Sequence, residues 1–274
     1  MTSSHSAKSK PDVGQRTIAD FGDQWTRYTD NSGYYGSLGL FADICEPLLS
    51  LDNVRGRTVA DIGSGTGRIV NMLLDAGAAH VTALEPSESF AVVAANTADR
   101  ASRVEVIRCD GTAIPQDHDF DLVVSIGVLH HVEDPAPIVK AARCALRPGG
   151  VIFIWLYGRE GNGIYLALFE PLRAVTKRMS HRLLAILCHV LDFIAMSYTA
   201  ASRILPLPMR QYMQKVYRRL PPDKRRLVIY DQLNPAYAKY YSEDEARSLL
   251  ENNGFTNVRT YHRHGYSWSV TGVR

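Results

Sequence analysis

A chain of 274 residues with 46% hydrophobic side chains can build the core of one large α/β domain carrying an insertion, and two full domains are not expected. The 31 Lys and Arg against 28 Asp and Glu leave a formal charge of +3, too mild a balance to argue for nucleic acid from the whole chain. Cys45, Cys109, Cys144 and Cys188 lie far apart with no Cys-x-x-Cys pair, which fits neither a zinc site nor a disulfide framework and reads as reduced thiols in a cytoplasmic protein.

Residues 1–16 are polar, without the apolar centre of a signal peptide, and read as a disordered lead-in. An aromatic-rich segment follows, Phe21-Gly22-Asp23-Gln24-Trp25-Thr26-Arg27-Tyr28 and then Tyr34-Tyr35-Gly36, ahead of a first core helix at 40–51. The apolar run Thr58–Ile62 leads into glycines at 63, 65 and 67, and then Ile69, Val70, Met72, Leu73 and Leu74 recur at helical spacing. This pattern is strand, glycine turn, helix. Glycine suits a place where a ligand must approach the backbone closely, and the free N–H groups opening the helix attract a negative group. A dinucleotide fingerprint would require glycine at 68, and position 68 is Arg68.

Further strands are expected at 80–84, ending in Glu85-Pro86; at 104–108, ending in Asp110-Gly111; at 119–126, running into Gly127-Val128-Leu129-His130-His131-Val132; and at 151–157. Asp134-Pro135 supplies an N-cap and a first-turn proline for the helix between the last two. A carboxylate about 20 residues beyond a glycine turn is where a ribose diol is gripped, although Glu85 also fits a solvated helix start. Asp61, Glu85, Asp110 and the residues from Ser125 onward fall at the carboxyl ends of successive strands, the edge at which open parallel sheets bind ligands.

These motifs resemble those of the class I S-adenosylmethionine-dependent methyltransferases over residues 55–157. The resemblance implies a Rossmann-like α/β fold, a seven-stranded, mostly parallel sheet with an antiparallel last strand. It implies S-adenosylmethionine as cofactor. Gly63 and Gly65 would approach its methionine part, Asp61 would orient the amino group, Glu85 and Pro86 would meet the ribose, Asp110 and Gly111 the adenine, and Ser125 or Ile126 would offer carbonyls. A leading segment such as 17–36 folds over the cofactor in methyltransferases of similar layout, which implicates Trp25 and Tyr28; the alternative is an aromatic helix face packed on the core. His131, and after it His130, stand where the family brings the acceptor to the methyl group, and imidazole titrates near neutrality. The alternative for the pair is a structural turn. The group Tyr261-His262-Arg263-His264-Gly265-Tyr266 is a second, weaker candidate. Glu133 and Asp134 lie beside His131 without metal-ligand spacing, and no metal is expected.

The core is thus expected over 17–157, with a helical cap over 158–241 and a closing helix and strands over 242–274. Ser242-Glu243-Asp244-Glu245 is a capping box, and strands follow at 257–264 and 266–273. The cap is the natural owner of acceptor specificity. Tyr34, Tyr35, Tyr237 and Tyr241 are the candidate acceptor contacts, the last two from Tyr230-Asp231-Gln232-Leu233-Asn234-Pro235-Ala236-Tyr237-Ala238-Lys239-Tyr240-Tyr241, a composition that hydrogen-bonds hydroxyls and stacks on a ring. Residues 183–201 are apolar enough to raise a membrane span, but His189 and Asp192 near the middle favour a buried helix or one that pairs two copies; lipid contact is the lesser alternative. Arg210, Lys215, Arg218, Arg219, Lys224, Arg225 and Arg226 against Asp223 form a charge run, most simply a solvated face, with an anionic partner such as RNA not favoured. The leading expectation is O-methylation of a small hydroxylated acceptor, a sugar, glycoside or secondary metabolite. A lipophilic quinone-like acceptor is the alternative, and a non-catalytic cofactor binder the reading from another class.

Overall fold

A computed structural model describes residues 13–176 and 178–274. Seven strands form one sheet in the order β3-β2-β1-β4-β5-β7-β6: β1 Thr58–Ile62, β2 His80–Leu84, β3 Val104–Ile107, β4 Phe120–Ile126, β5 Leu146–Tyr157, β6 Thr256–Arg263 and β7 Ser267–Val273. The first five run parallel, and β7 is antiparallel to both of its neighbours. β1, β2 and β4 are continuous apolar runs because helices cover both sheet faces, leaving no solvent side to pattern.

The sheet helices are α1 Val13–Arg27, α2 Leu38–Cys45, α3 Arg68–Asp75, α4 Phe90–Asn96 and α5 Ala136–Ala145. One face carries Phe41, Val70, Met72 and Leu73 against β1 and β2; the other carries Ile138, Val139 and Ala142 against β4 and β5. The register Asp61↔Ala83 and Asp61↔Val124 aligns the carboxyl ends of β2, β1 and β4. β1 lies between β2 and β4, so the chain order reverses there and a crevice opens above the strand ends.

The cap consists of α6 Gly163–Thr176, α7 His181–Ala201, α8 Arg210–Lys215 and α9 Pro222–Leu233, built around Leu184, Cys188, Met213, Tyr217 and Leu233. It returns to the sheet through α10 Glu243–Glu251, where Ser242 Oγ accepts from Glu245 N–H at 3.2 Å and the Glu245 carboxylate accepts from Ser242 N–H at 2.9 Å. These are the two bonds of a capping box.

Several boundaries differ from expectation. The helix expected over 40–51 stops at Cys45, because Pro47 has no N–H to continue it. The fifth strand starts at Leu146 rather than 151: its pairing with β4 shifts register past Phe120, and Arg147-Pro148-Gly149-Gly150 is absorbed as a bulge with Gly149 at φ +76°. Residues 1–12 of the expected lead-in lie outside the described residues, while Val13 already opens α1. The basic run divides: Arg210, Lys215, Arg218 and Arg219 are exposed, as on a solvated face, while Lys224 is buried and Arg225 and Arg226 are half-buried. Buried Lys224 bonds Asp30 and Asp223, Arg225 pairs with Asp192 at 2.7 Å, and the Arg219 guanidinium lies 3.8 Å from the Tyr34 ring centre.

Candidate active site

At the end of β1 the backbone turns through Gly63 at φ +76° and Gly65 at φ +58°. A methyl group on Gly63 would stand 2.6 Å from Val128 Cγ2, and one on Gly65 would stand 3.3 Å from the Trp25 indole nitrogen. Sterics and dihedral thus both demand glycine. Gly63 and Ser64 donate their N–H groups to the Leu84 carbonyl at 2.8 and 3.0 Å, which fastens the turn to β2. Glu85, buried, accepts from Gly65 N–H at 2.8 Å through one carboxylate oxygen and from Ser87 N–H and Oγ at 3.0 and 2.6 Å through the other. Three of its roughly four acceptor positions are taken, so a diol would find one rather than two. Gly111 is pinned by Ile138 and Ile62, 2.6 and 2.8 Å from where its Cβ would be.

Asp61 is 1% exposed, and its Oδ2 has no hydrogen-bond partner within the protein. Burial, with Glu85 adding repulsion, pushes its carboxyl up to about 7 against the pull of Ser64 and Arg68. A buried, unpartnered carboxylate oxygen beside a glycine cradle calls for a cation.

Above the turn lies a cavity of about 850 Å³ whose walls come from α1, the strand ends and the cap. Of the predicted residues, Trp25, Gly63, Gly65, Glu85 and Pro86 line it on the cofactor side, with Asp110, Gly111 and Ile126 beside them. His131 and Tyr35 line it as well. Arg263 and Tyr266 of the second candidate group line it too, Asp61 lies just behind its wall next to Ile62 and Gly63, and the remaining predicted residues do not reach it. Tyr28 packs on Tyr230 with ring centres 5.8 Å apart, Tyr34 lies under Arg219, and Ser125 is wholly buried in the sheet. Tyr241 is fixed to β5 by its N–H on the Tyr157 carbonyl at 2.8 Å. Tyr237 contributes a backbone carbonyl rather than its ring. His130 stacks on Tyr157 at 3.7 Å behind the wall, the structural alternative for that half of the pair.

His131 has a defined state. Its Nδ1 is 2.8 Å from the Tyr237 carbonyl, an acceptor only, so Nδ1 carries the hydrogen and Nε2 the lone pair. Nε2 is buried with no protein partner. Burial holds the imidazolium down at about 4, outweighing the Tyr237 bond, so the ring is neutral at physiological pH. Phe21 meets it edge-on at 4.7 Å and Tyr157 at 5.5 Å, which fixes its plane.

Beside His131 is a polar cluster that takes Asp231, Gln232 and Tyr240 from the segment expected to meet hydroxyls and adds Tyr157, Tyr165 and Arg173, which motif reading did not join to it. Gln232 donates to Tyr157 Oη at 2.6 Å and accepts from Tyr165 and Tyr240 at 2.9 and 3.1 Å, while Arg173 donates to Tyr240 at 3.0 Å and to the Gln232 carbonyl at 2.8 Å. Asp231 accepts from Gln24 at 2.8 Å, and burial raises its carboxyl to about 6. One signal was available: the period of two along β5 puts Trp155 and Tyr157 on the same face. Of the second candidate group, Arg263 and His264 are bound to Asp43, and His262 stacks on Trp268 at 4.3 Å. Among the described residues no three His, Cys, Asp or Glu side chains are grouped as metal ligands.

The family model described as a methyltransferase domain matches residues 60–154. A ubiquinone biosynthesis O-methyltransferase of Idiomarina loihiensis is 32% identical over 165 residues, 58% of this chain and 68% of that protein. The chain belongs to the class I S-adenosylmethionine-dependent methyltransferases. A second relative, the ubiquinone biosynthesis O-methyltransferase of Hydrogenovibrio crunogenus, is 29% identical over 51% of this chain and 59% of its own length, so the chain spans about three-fifths of it. The solved structure of magnesium protoporphyrin IX methyltransferase from Synechocystis PCC 6803 has the same fold, with a TM-score of 0.54 at 16% identity over 96% of this chain and 100% of that one.

The methyltransferase cofactor fits the residues present. Its ammonium would meet the unpartnered Asp61 oxygen, its methionine arm would pass over Gly63 and Gly65, where no side chain obstructs, and its ribose would meet the remaining lone pair of Glu85. Trp25, stacked near-parallel to Phe21 with centres 6.3 Å apart, roofs the methyltransferase turn.

Proposed function

We propose that this methyltransferase transfers its methyl group to a hydroxyl on a ring-bearing, lipophilic acceptor. The observation that carries the reading is His131, a residue of the cavity wall whose buried Nε2 has no hydrogen-bond partner within the protein. Two features support the acceptor class. The wall next to His131 is polar, with Tyr157, Tyr165, Asp231, Gln232 and Tyr240 available to meet hydroxyls, whereas the cap also contributes an apolar wall of Phe169, Leu191, Ile194, Met209 and Met213. An amphiphile with a hydroxylated ring and an apolar tail matches both, and the names of the two curated relatives point the same way.

Bound S-adenosylmethionine supplies an electrophilic methyl carbon on a sulfonium. The protein's own part is alignment and proton removal. The Tyr237 carbonyl holds the tautomer, Phe21 and Tyr157 hold the plane, and Nε2 would take the acceptor's hydroxyl proton as the acceptor oxygen displaces a neutral thioether from the methyl carbon, the C–S bond breaking as the C–O bond forms. Burial excludes water and keeps the lone pair free at neutral pH.

The test is a matched pair of acceptors with methyl-labelled cofactor: catechol, and catechol carrying a butyl chain, with a glycoside as a third. Four buried chain carbons at about 0.8 kcal/mol each predict kcat/KM about 200-fold higher for the butyl compound. Equal turnover of plain catechol, or preferred turnover of the glycoside, would return the assignment to a small hydrophilic acceptor. Cofactor binding without turnover of any of them would support the binder reading.

A further inference from the structure

Ten of the twelve large apolar side chains exposed among the described residues fall between Ile164 and Leu205; the other two are Ile18 and Tyr261. On α7 they form a stripe at helical spacing, including Ile186 at 61% and Phe193 at 75% exposure, and beyond its end Ile204 reaches 87%. The opposite face of α7 is occupied. Leu184 and Cys188 pack into the cap core, and Asp192 is locked to Arg225 Nε and Tyr217 Oη, both at 2.7 Å. A helix tied along its length to α9 lies on the protein and does not cross a bilayer, although it is long and apolar enough to do so.

The stripe is continuous with the cavity. Ile164 and Leu168 on α6 and Ile194 on α7 line the cavity and are each more than half exposed, so its mouth opens through apolar side chains. Among the described residues, the exposed Asp, Glu, Lys and Arg side chains from Gly163 to Arg210 are one acid, Glu170, against Arg178, Arg182, Arg203 and Arg210. Arg182 and Arg203 bracket the α7 stripe at its two ends.

We propose that this face docks on an anionic lipid surface, with α7 lying in the interface and the cavity mouth turned toward the acyl chains. An apolar stripe edged by arginines is the pattern of an interfacial helix attracted to anionic headgroups. A second copy of the chain is the poorer occupant: two-fold pairing would set arginine ends against each other or spend them on nothing, and would cover the mouth through which acceptor must pass. The purpose of the docking rests on the lipophilic-acceptor reading above; the docking itself is measured without any acceptor.

The experiment is flotation of the full chain with phosphatidylcholine vesicles, with and without an equal part of phosphatidylglycerol, alongside analytical ultracentrifugation. The wild type floats with anionic vesicles and is released by high salt, as charges within a Debye length require. The double variant I186E/F193E binds at least about 100-fold more weakly, since each inserted Ile or Phe is worth about tenfold. R182E/R203E loses the preference for anionic vesicles. Both variants touch solvent-facing positions and keep the wild-type cofactor affinity by calorimetry and the wild-type turnover of plain catechol. Failure of the wild type to float with either vesicle overturns the proposal, as does a wild-type dimer that F193E splits. Vesicle binding combined with preferred turnover of the glycoside would keep the docking and reject the lipophilic acceptor.

Discussion

Replacing His131 by Asn separates its two nitrogens. The Asn amide can still donate to the Tyr237 carbonyl, which His131 Nδ1 meets at 2.8 Å, but nothing replaces Nε2 in the cavity wall. General-base removal contributes 10²–10⁴-fold, so kcat should fall about 1,000-fold, or about 4 kcal/mol. Cofactor affinity by calorimetry should stay within about twofold, because the variant leaves the glycine turn untouched. The pH profile gives a second readout. An imidazolium held at about 4 leaves the lone pair free above that value, so at cofactor concentrations saturating throughout, His131 leaves wild-type kcat/KM for the acceptor flat from about pH 5.5 to 8, with a fall of tenfold per unit only below about 4. Stability has the opposite origin but the same direction: the unfolded ring takes up a proton below about 6.5 and the folded ring does not until about 4, so stability present above 6.5 is lost as pH falls through that window. H131N should lack this loss. A decrease in kcat of less than tenfold, with an unchanged acid limb, would remove His131 from the chemistry.

Two further outcomes follow from the cofactor side. With Asp61 held at about 7 in the free protein and ionised against the cofactor's ammonium, cofactor affinity should rise about tenfold from pH 5.5 to 7, and D61N should bind more weakly with no such slope; equal calorimetric affinities at both pH values in the wild type would refute this. G63A should cost about 2–4 kcal/mol in urea unfolding, the sum of a left-handed backbone at φ +76° and a methyl set 2.6 Å from Val128; adding V128A should recover only the steric part, and a cost below about 1 kcal/mol would mean that the turn is looser than drawn.

The sheet was legible because its strands are short apolar runs closed by glycine, proline or a carboxylate; β1 and β2 end where Ile62 and Leu84 stop. The glycine turn and the acids at the strand ends were legible for the same reason, since topology puts them on one edge. The acceptor wall was not. Tyr240 and Tyr241 are neighbours, 7% and 2% exposed, yet one reaches the cavity and the other is clamped to β5; with both sides of the segment buried, no polar side exists to reveal which tyrosine turns inward. The buried end of the basic run was hidden for a related reason. Its partners, Asp30 and Asp192, stand 194 and 33 residues away from Lys224 and Arg225, beyond anything local spacing encodes.

Asp30 and Asn31 are adjacent, and they hold different parts of the molecule. Asp30 is bonded to Lys224 of the cap, while Asn31 exchanges hydrogen bonds with Thr66 of the glycine turn, at 3.1 Å to its carbonyl and 2.7 Å from its hydroxyl. One residue of chain spans at most about 3.6 Å, so this junction has almost no slack. A cap displaced by an entering acceptor pulls on the cradle of the methyl donor, and a filled cradle stiffens the cap in return. The linkage has a direct measure: if acceptor binding shifts the cap, acceptor and cofactor change each other's affinity by the same factor, and equal affinities with and without the other ligand would mean that the junction transmits nothing.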